Sequence, residues 1–193
     1  SELAPAPAPA PAAAAAAAIS AGGGGDTVAA EEAEDGAHEA AASAAWCASV
    51  ATDVAAWATD RDPGLWDAAV AAATAQTAYA TERLADVGLD LGGGGHHPLL
   101  TFLVRWCRPA RALETGVAAG FSSRAILLAL RANGAGELRS SDFPYFRLED
   151  PERYVGYLVE PELRAGWRVE TDGDRRNLPR LLADWPTLDL LHY

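Results

Sequence analysis

Three acids and one glycine turn have the types and spacing that could do chemistry in this chain. Leu113-Glu114-Thr115-Gly116-Val-Ala118-Ala-Gly120 leads out of a short apolar run into Phe-Ser122-Ser123 and an Ala/Leu helix. Asp142 closes a second short run, and Asp172-Gly-Asp174-Arg175 follows a third. Gly116 falls where a backbone leaving a strand must turn sharply, and Gly120 lets the helix approach the strand or a ligand closely. Ala118 and Ala119 keep the outer face of the loop open. The helix start presents unpaired N–H groups and the positive end of its dipole, which suits a carboxylate or a phosphate. Glu114 can place its carboxylate beside a ligand ammonium or an ordered water. Asp142 can accept two hydrogen bonds from a ribose diol. Asp174 can accept from an exocyclic amine, while the next N–H, that of Arg175, reaches a ring nitrogen. A Gly-x-x-x-Gly turn alone also occurs in plain strand-to-helix connections. Joined to two acids after the next two strands, it points to a ligand that contains a nucleoside.

Strands alternating with helices must position these groups. The pattern predicts strand one at 111–114, a helix at 122–132 with Ser122 or Ser123 as cap and Asn133-Gly134 as stop, and strand two at 137–141. A connection rich in proline follows, with one helix at 152–159, then strand three at 168–171, a short helix at 178–183 and strand four at 188–193. Such alternation means a parallel sheet with crossover helices, a Rossmann-like α/β fold. The layout breaks off at Tyr193, in the fourth strand. Ahead of it, residues 1–25 read as a low-complexity disordered tail of alternating Ala and Pro, seven alanines and a Gly run. Residues 26–91 read as a helical appendage and 92–193 as the α/β domain. Trp46, Val50, Val54 and Trp57 fall on one helical face, and a second helix covers 65–87. The tryptophan and alanine stripe suits packing, on the α/β unit or on a second subunit. Pro98 to Cys107 predicts a short amphipathic helix.

Bulk properties exclude several classes. The net charge is −12, with fourteen acids against two arginines over residues 1–100 and thirteen of each over 101–193. Every basic residue is arginine, and none of the clustered cations that nucleic acid requires is present. Cys47 and Cys107 lie without metal-type spacing and read as buried free thiols in a reducing compartment. No stretch has the length and hydropathy of a membrane span, and no basic leader precedes the Ala12–Ala18 run. These features predict a cytoplasmic, soluble protein.

The motifs resemble those of class I S-adenosylmethionine-dependent methyltransferases, in particular the small-molecule O-methyltransferase-like members. Leu113-Glu-Thr-Gly-Val-Ala-Ala-Gly120 resembles their first motif, and Ser141-Asp142-Phe-Pro their ribose-binding acidic position. Gly173-Asp174 with Leu178-Pro179-x-Leu-Leu is similar to their glycine-acid and leucine-proline segment. Leu188-Asp-Leu-Leu-His-Tyr193 is similar to their fourth strand. The resemblance covers roughly residues 92–193. It implies S-adenosyl-L-methionine as cofactor, with Glu114 and Gly116 at the methionine end, Asp142 on the ribose and Asp174 on the adenine amine. It also implies a small-molecule methyl acceptor with an oxygen or nitrogen nucleophile. The family's sheet has seven strands, so three more and an acidic segment are expected beyond Tyr193. The N-terminal helices are the candidate surface for a homodimer.

Other residues keep two readings. His96-His97 reads as a loop at the mouth of the ligand site rather than a metal site. His192 either faces an acceptor pocket or is a satisfied strand-end residue. Arg147–Arg153, with Tyr145 and Tyr154, is either a lid or a connector. Ser122 and Ser123 are no nucleophiles, since no histidine and acid complete a triad. An NAD(P)-dependent oxidoreductase needs a full Gly-x-Gly-x-x-Gly, which Ala118 interrupts and Phe121 leaves without its last glycine. A non-catalytic module, with the acidic helices as a partner surface, is the alternative outside enzymology.

Overall fold

In chain order the elements are α1 (Asp26–Val50), α2 (Val54–Arg61), α3 (Pro63–Leu84), α4 (His97–Cys107), β1 (Arg111–Thr115), α5 (Phe121–Asn133), β2 (Glu137–Ser141), β3 (Trp167–Glu170), α6 (Asp174–Leu181) and β4 (Leu190–His192). They come from a computed structural model that describes residues 26–85 and 87–193. The tail expected over 1–25 lies outside the described residues. The chain divides into two units, one ending at Ala51 and the other running from Thr52 to Tyr193. The first is described only by α1, whose Trp46 and Val50 are exposed.

The second unit holds a four-stranded sheet in the order β3-β2-β1-β4, every neighbouring pair parallel. Parallel neighbours need crossovers, and α5 supplies the one between β1 and β2. The architecture is therefore α/β and Rossmann-like, as the alternating pattern predicts. Val104, Ala112, Ile126, Leu127, Leu130, Leu138, Val159 and Leu163 form the core between sheet and helices. A second cluster joins α2, α3 and α4 through Ala58, Trp66, Ala69 and Phe102, with Trp57 edge-on to Phe102 at 5.9 Å. Gln76 on α3 ties these helices to the sheet side, donating from Nε2 to the Phe121 carbonyl at 2.8 Å.

Several boundaries differ from the sequence reading, each for a local reason. The face drawn through Trp46, Val50, Val54 and Trp57 is split, because Asp53 caps α2 by accepting from Ala56 N. Helix α3 starts at Pro63, where Asp62 accepts from Leu65 N, and ends at Leu84 rather than 87. The helix expected at 152–159 is replaced by two 3-10 turns, Pro151–Tyr154 and Pro161–Gly166. Gly156 between them has φ +66°, and an added Cβ would run into the Trp167 ring. Helix α6 begins at Asp174, not 178, and carries Pro179 inside it. Cys47 and Cys107 are free as expected, but both are exposed rather than buried. Among the described residues no helix is long and apolar enough to cross a membrane.

Behind the sheet, β2 carries a charge that sets an acid limit. Arg139 is buried and reaches both carboxylate oxygens of Asp184, the Glu137 carboxylate and the Leu181 carbonyl, with the Trp185 ring 4.0 Å from its guanidinium. The hydrogen bonds from Arg139 hold the Asp184 carboxyl at about 2, below its usual 3.8. A depressed carboxyl stabilises the fold above its ordinary range and loses that contribution as it protonates. Urea melts should show the native chain losing its margin over Asp184→Asn as pH falls from about 4 to about 2.

Candidate functional site

Parallel pairing brings the carboxyl ends of all four strands to one edge, and the chain order reverses between β1 and β4. Ligands in open α/β sheets settle at such a switch point. The loop Gly116–Gly120 leaves β1 there. Gly116 has φ +85° with open space at its Cβ position, so the turn itself requires glycine. Gly120 also has a left-handed φ, +90°, but its closeness serves the protein: an added Cβ would stand 2.9 Å from the Gly156 backbone. Gly156 N and Leu158 N donate to the Ala118 and Ala119 carbonyls at 2.8 and 2.9 Å. Left-handed strain of about 1–2 kcal/mol and backbone overpacking of about 1–3 kcal/mol should make Gly120→Ala cost about 2–5 kcal/mol. Chemical denaturation checks this.

Glu114 is fully buried, and its carboxylate accepts from Ser122 Oγ at 2.6 Å, Ser123 Oγ at 2.6 Å and Ser140 Oγ at 2.9 Å. Ser140 in turn accepts from Trp167 Nε1 at 2.8 Å. Burial pushes the Glu114 carboxyl above its ordinary range, and the three hydroxyls and nearby His192 pull it only part of the way back. Ser122 and Ser123 are therefore not helix caps. The α5 cap position is Gly120, with no side-chain cap, because both hydroxyls turn inward to the acid. His192 pairs with Glu114 in the register of β4 on β1, and its Nδ1 lies 3.8 Å from Glu114 Oε1.

Asp142 closes the loop from the other side. Its Oδ2 accepts from Val117 N at 3.1 Å and Ala118 N at 2.7 Å, and its Oδ1 from Phe143 N at 2.6 Å. Asp174 opens α6 and accepts from Ser141 Oγ at 2.5 Å. Asn177, fully buried, holds this end together. Its Nδ2 donates to Ser141 Oγ, the Asp142 carbonyl and the Glu170 carbonyl, and its Oδ1 accepts from Asp172 N. Arg175 is exposed on α6 and lines no described cleft.

Two clefts flank the loop and share Gly116 and Tyr193. One, of about 480 Å³, is lined by Thr115, Asp142, Phe143, Gly173 and Asp174 besides those two. It holds two carboxylates, an exposed phenyl ring and no cation. The other, of about 470 Å³, is mostly apolar; its walls include Leu91, Leu99, Leu100, Val117 and Phe121, with His97 and His192 also facing it. His96 caps α4, accepting from Leu99 N at Nδ1, and His97 stacks on Phe121 with ring centroids 5.9 Å apart. Among the described residues no group of His, Cys, Asp and Glu could hold a metal ion. Within the 143–157 segment Tyr145 donates to the Leu91 carbonyl at 3.2 Å and meets Tyr154 edge-on, while Phe143 and Phe146 are exposed.

Sequence reasoning thus brought Thr115, Gly116 and Ala118 to the cleft rims with Ser122, Asp142 and Asp174, while Glu114, Gly120 and Ser123 stand behind them. It passed over Asn177 and the ring of Phe143. The signal for Asn177 was faint: one helical turn after Asp174, on the face turned to the sheet.

Fold and site together define a Rossmann-like α/β architecture with two clefts at its switch point. No family model matches the chain, and no curated protein matches it. Among solved structures it is similar to the SAH-bound methyltransferase PaMTH1 of Podospora anserina, at 13% identity and a TM-score of 0.37. The match covers 74% of this chain and 53% of that one, so the chain spans about half of that protein's length.

Proposed function

We propose that the chain binds S-adenosylmethionine and serves methyl transfer to a small-molecule oxygen or nitrogen nucleophile. One observation carries the choice of ligand: the Val117 and Ala118 N–H groups are bonded to Asp142, in a cleft with two carboxylates and no cation. A dinucleotide needs loop N–H groups for its pyrophosphate, and these are taken. A ligand with hydroxyl and amine donors and a positive charge suits the same cleft. Asp142 Oδ1 retains acceptor capacity for a diol, since a carboxylate offers about four lone-pair sites. Asp174 Oδ2 is open to an amine, and Phe143 offers an apolar face to a flat base. The residues present fit the nucleoside.

When bound, the cofactor supplies an electrophilic methyl group on a sulfonium. Asp142 and Asp174 would orient its nucleoside, Gly116 would leave room beside the loop, and the apolar cleft would hold the acceptor and exclude water. Rate enhancement would then come mainly from alignment. Calorimetric titration of S-adenosylhomocysteine, with NAD as control, tests this. Binding of the first alone supports it. A folded chain that binds NAD instead, or neither ligand, overturns it, and the second outcome favours a non-catalytic module.

A further inference from the structure

The apolar cleft holds a histidine with an acid behind it. Glu114 and His192 are register partners on neighbouring strands, so both side chains leave the sheet on one face. His192 Nδ1 is buried, has no hydrogen-bond partner and stands 3.8 Å from Glu114 Oε1. An imidazole whose Nδ1 is turned inward carries Nε2 on its opposite edge, and the His192 side chain is 33% exposed where it lines the cleft. Oε1 is also the Glu114 oxygen with capacity to spare, accepting from Ser122 alone, whereas Oε2 accepts from two serines.

We propose that His192 is the proton acceptor of this cleft, that Glu114 is its positioning residue, and that the ligand it serves is an uncharged, ring-sized apolar molecule with a weakly acidic hydroxyl. The proposal rests on the cleft being the acceptor site of the function proposed above. The ligand O–H bond breaks, its electron pair stays on oxygen, and the proton bonds to Nε2. Nδ1–H then faces Glu114 Oε1, and the imidazolium so formed lies beside the buried carboxylate.

The walls select the ligand class. Leu91, Leu99, Leu100 and Val117 with Phe121 suit an apolar ring and reject a charged or sugar-like body. The other titratable groups at the cleft are His97 and His96 at the start of α4, and Tyr193 next to His192. Burial, with the nearby His192 and His96, holds His97 below its ordinary range. Of these histidines His192 is the one with a carboxylate at its back, so the proton goes there.

4-Nitrophenol tests this without any cofactor, because its ionised form is yellow and its neutral form is not. Bound to the folded chain, its apparent pKa should drop by about 1–3 units, the effect of an adjacent opposite charge. His192→Gln should abolish the drop and, since each unit of drop is a tenfold preference for the ionised form, weaken binding at alkaline pH by about 10- to 1,000-fold while the neutral phenol still binds at acid pH. Glu114→Gln should reduce the drop, and Glu114→Asp should restore part of it, which a merely structural role would not do. Where a Glu114 variant fails to fold by circular dichroism, His192→Gln decides. A probe that does not bind, that binds as the neutral phenol, or that ionises equally in His192→Gln overturns the proposal. Titration of S-adenosylhomocysteine into the same sample reports on the nucleoside cleft separately, so the two failures are distinguishable.

Discussion

Alanine at Glu114 is expected to destabilise the chain by about 2–4 kcal/mol, from the loss of one acceptor shared by three hydroxyls. Ser123 and Ser140 are fully buried, so neither can turn to water once the carboxylate is gone. Together they would leave a polar hollow between β1, β2 and the first turn of α5, with the loop anchored above it. Glu114→Gln keeps volume and one carbonyl acceptor, and the serine hydroxyls can reorient, so its cost should stay within about 1 kcal/mol. The comparison also has a sign in pH. Because burial raises the Glu114 carboxyl, its contribution is fully present below the ordinary range near 4.5 and is lost as pH rises through the folded value. The native chain should therefore fall in stability relative to Glu114→Gln as pH rises above that ordinary range, as read by urea denaturation. A difference that stays flat or grows the other way would mean that the carboxylate is ionised throughout.

Asp142→Ala should lower the affinity for S-adenosylhomocysteine by about 10- to 100-fold, the equivalent of the 1.5–3 kcal/mol typical of hydrogen bonds to a charged group. Two losses combine: the acceptor for a diol, and the partner of the Val117 and Ala118 N–H groups. Asp142→Asn separates them, since its amide oxygen can still accept from the loop while the charge is gone. Calorimetry should place Asn between native and Ala. If Asn binds as weakly as Ala while the loop stays ordered by hydrogen exchange, the charge matters more than the loop. If all three bind alike, the acid does not touch the ligand.

The strand periods show how much could be read along the chain. β2 falls at 137–141, the span expected from the sequence, and α5 stops at Gly134, where φ +73° suits glycine. Local rules governed those places, because hydrophobic alternation and backbone permissiveness act over a few residues. The same local rules placed α6 four residues late, at 178 instead of Asp174, and missed the break between α1 and α2, where the Asp53 cap outweighed the apolar face. In the site, residue types pointed to Asp142 and Asp174 at a cleft. They could not tell that Ser122, Ser123 and Ser140, 18 residues apart at the widest, would meet on one carboxylate.

By itself, then, the sequence determined the alternation of strands and helices, the glycine turn at 116, and the placing of acids after β2 and β3, since each depends on neighbours in the chain. Only the tertiary structure decided which acids line a cleft. Strand register set His192 beside Glu114, and the approach of Gly156 consumed the freedom of Gly120. Burial turned Glu114 into an internal acceptor while leaving Asp142 at the cleft. Burial and register are sums over distant contacts, and no short stretch of chain contains them.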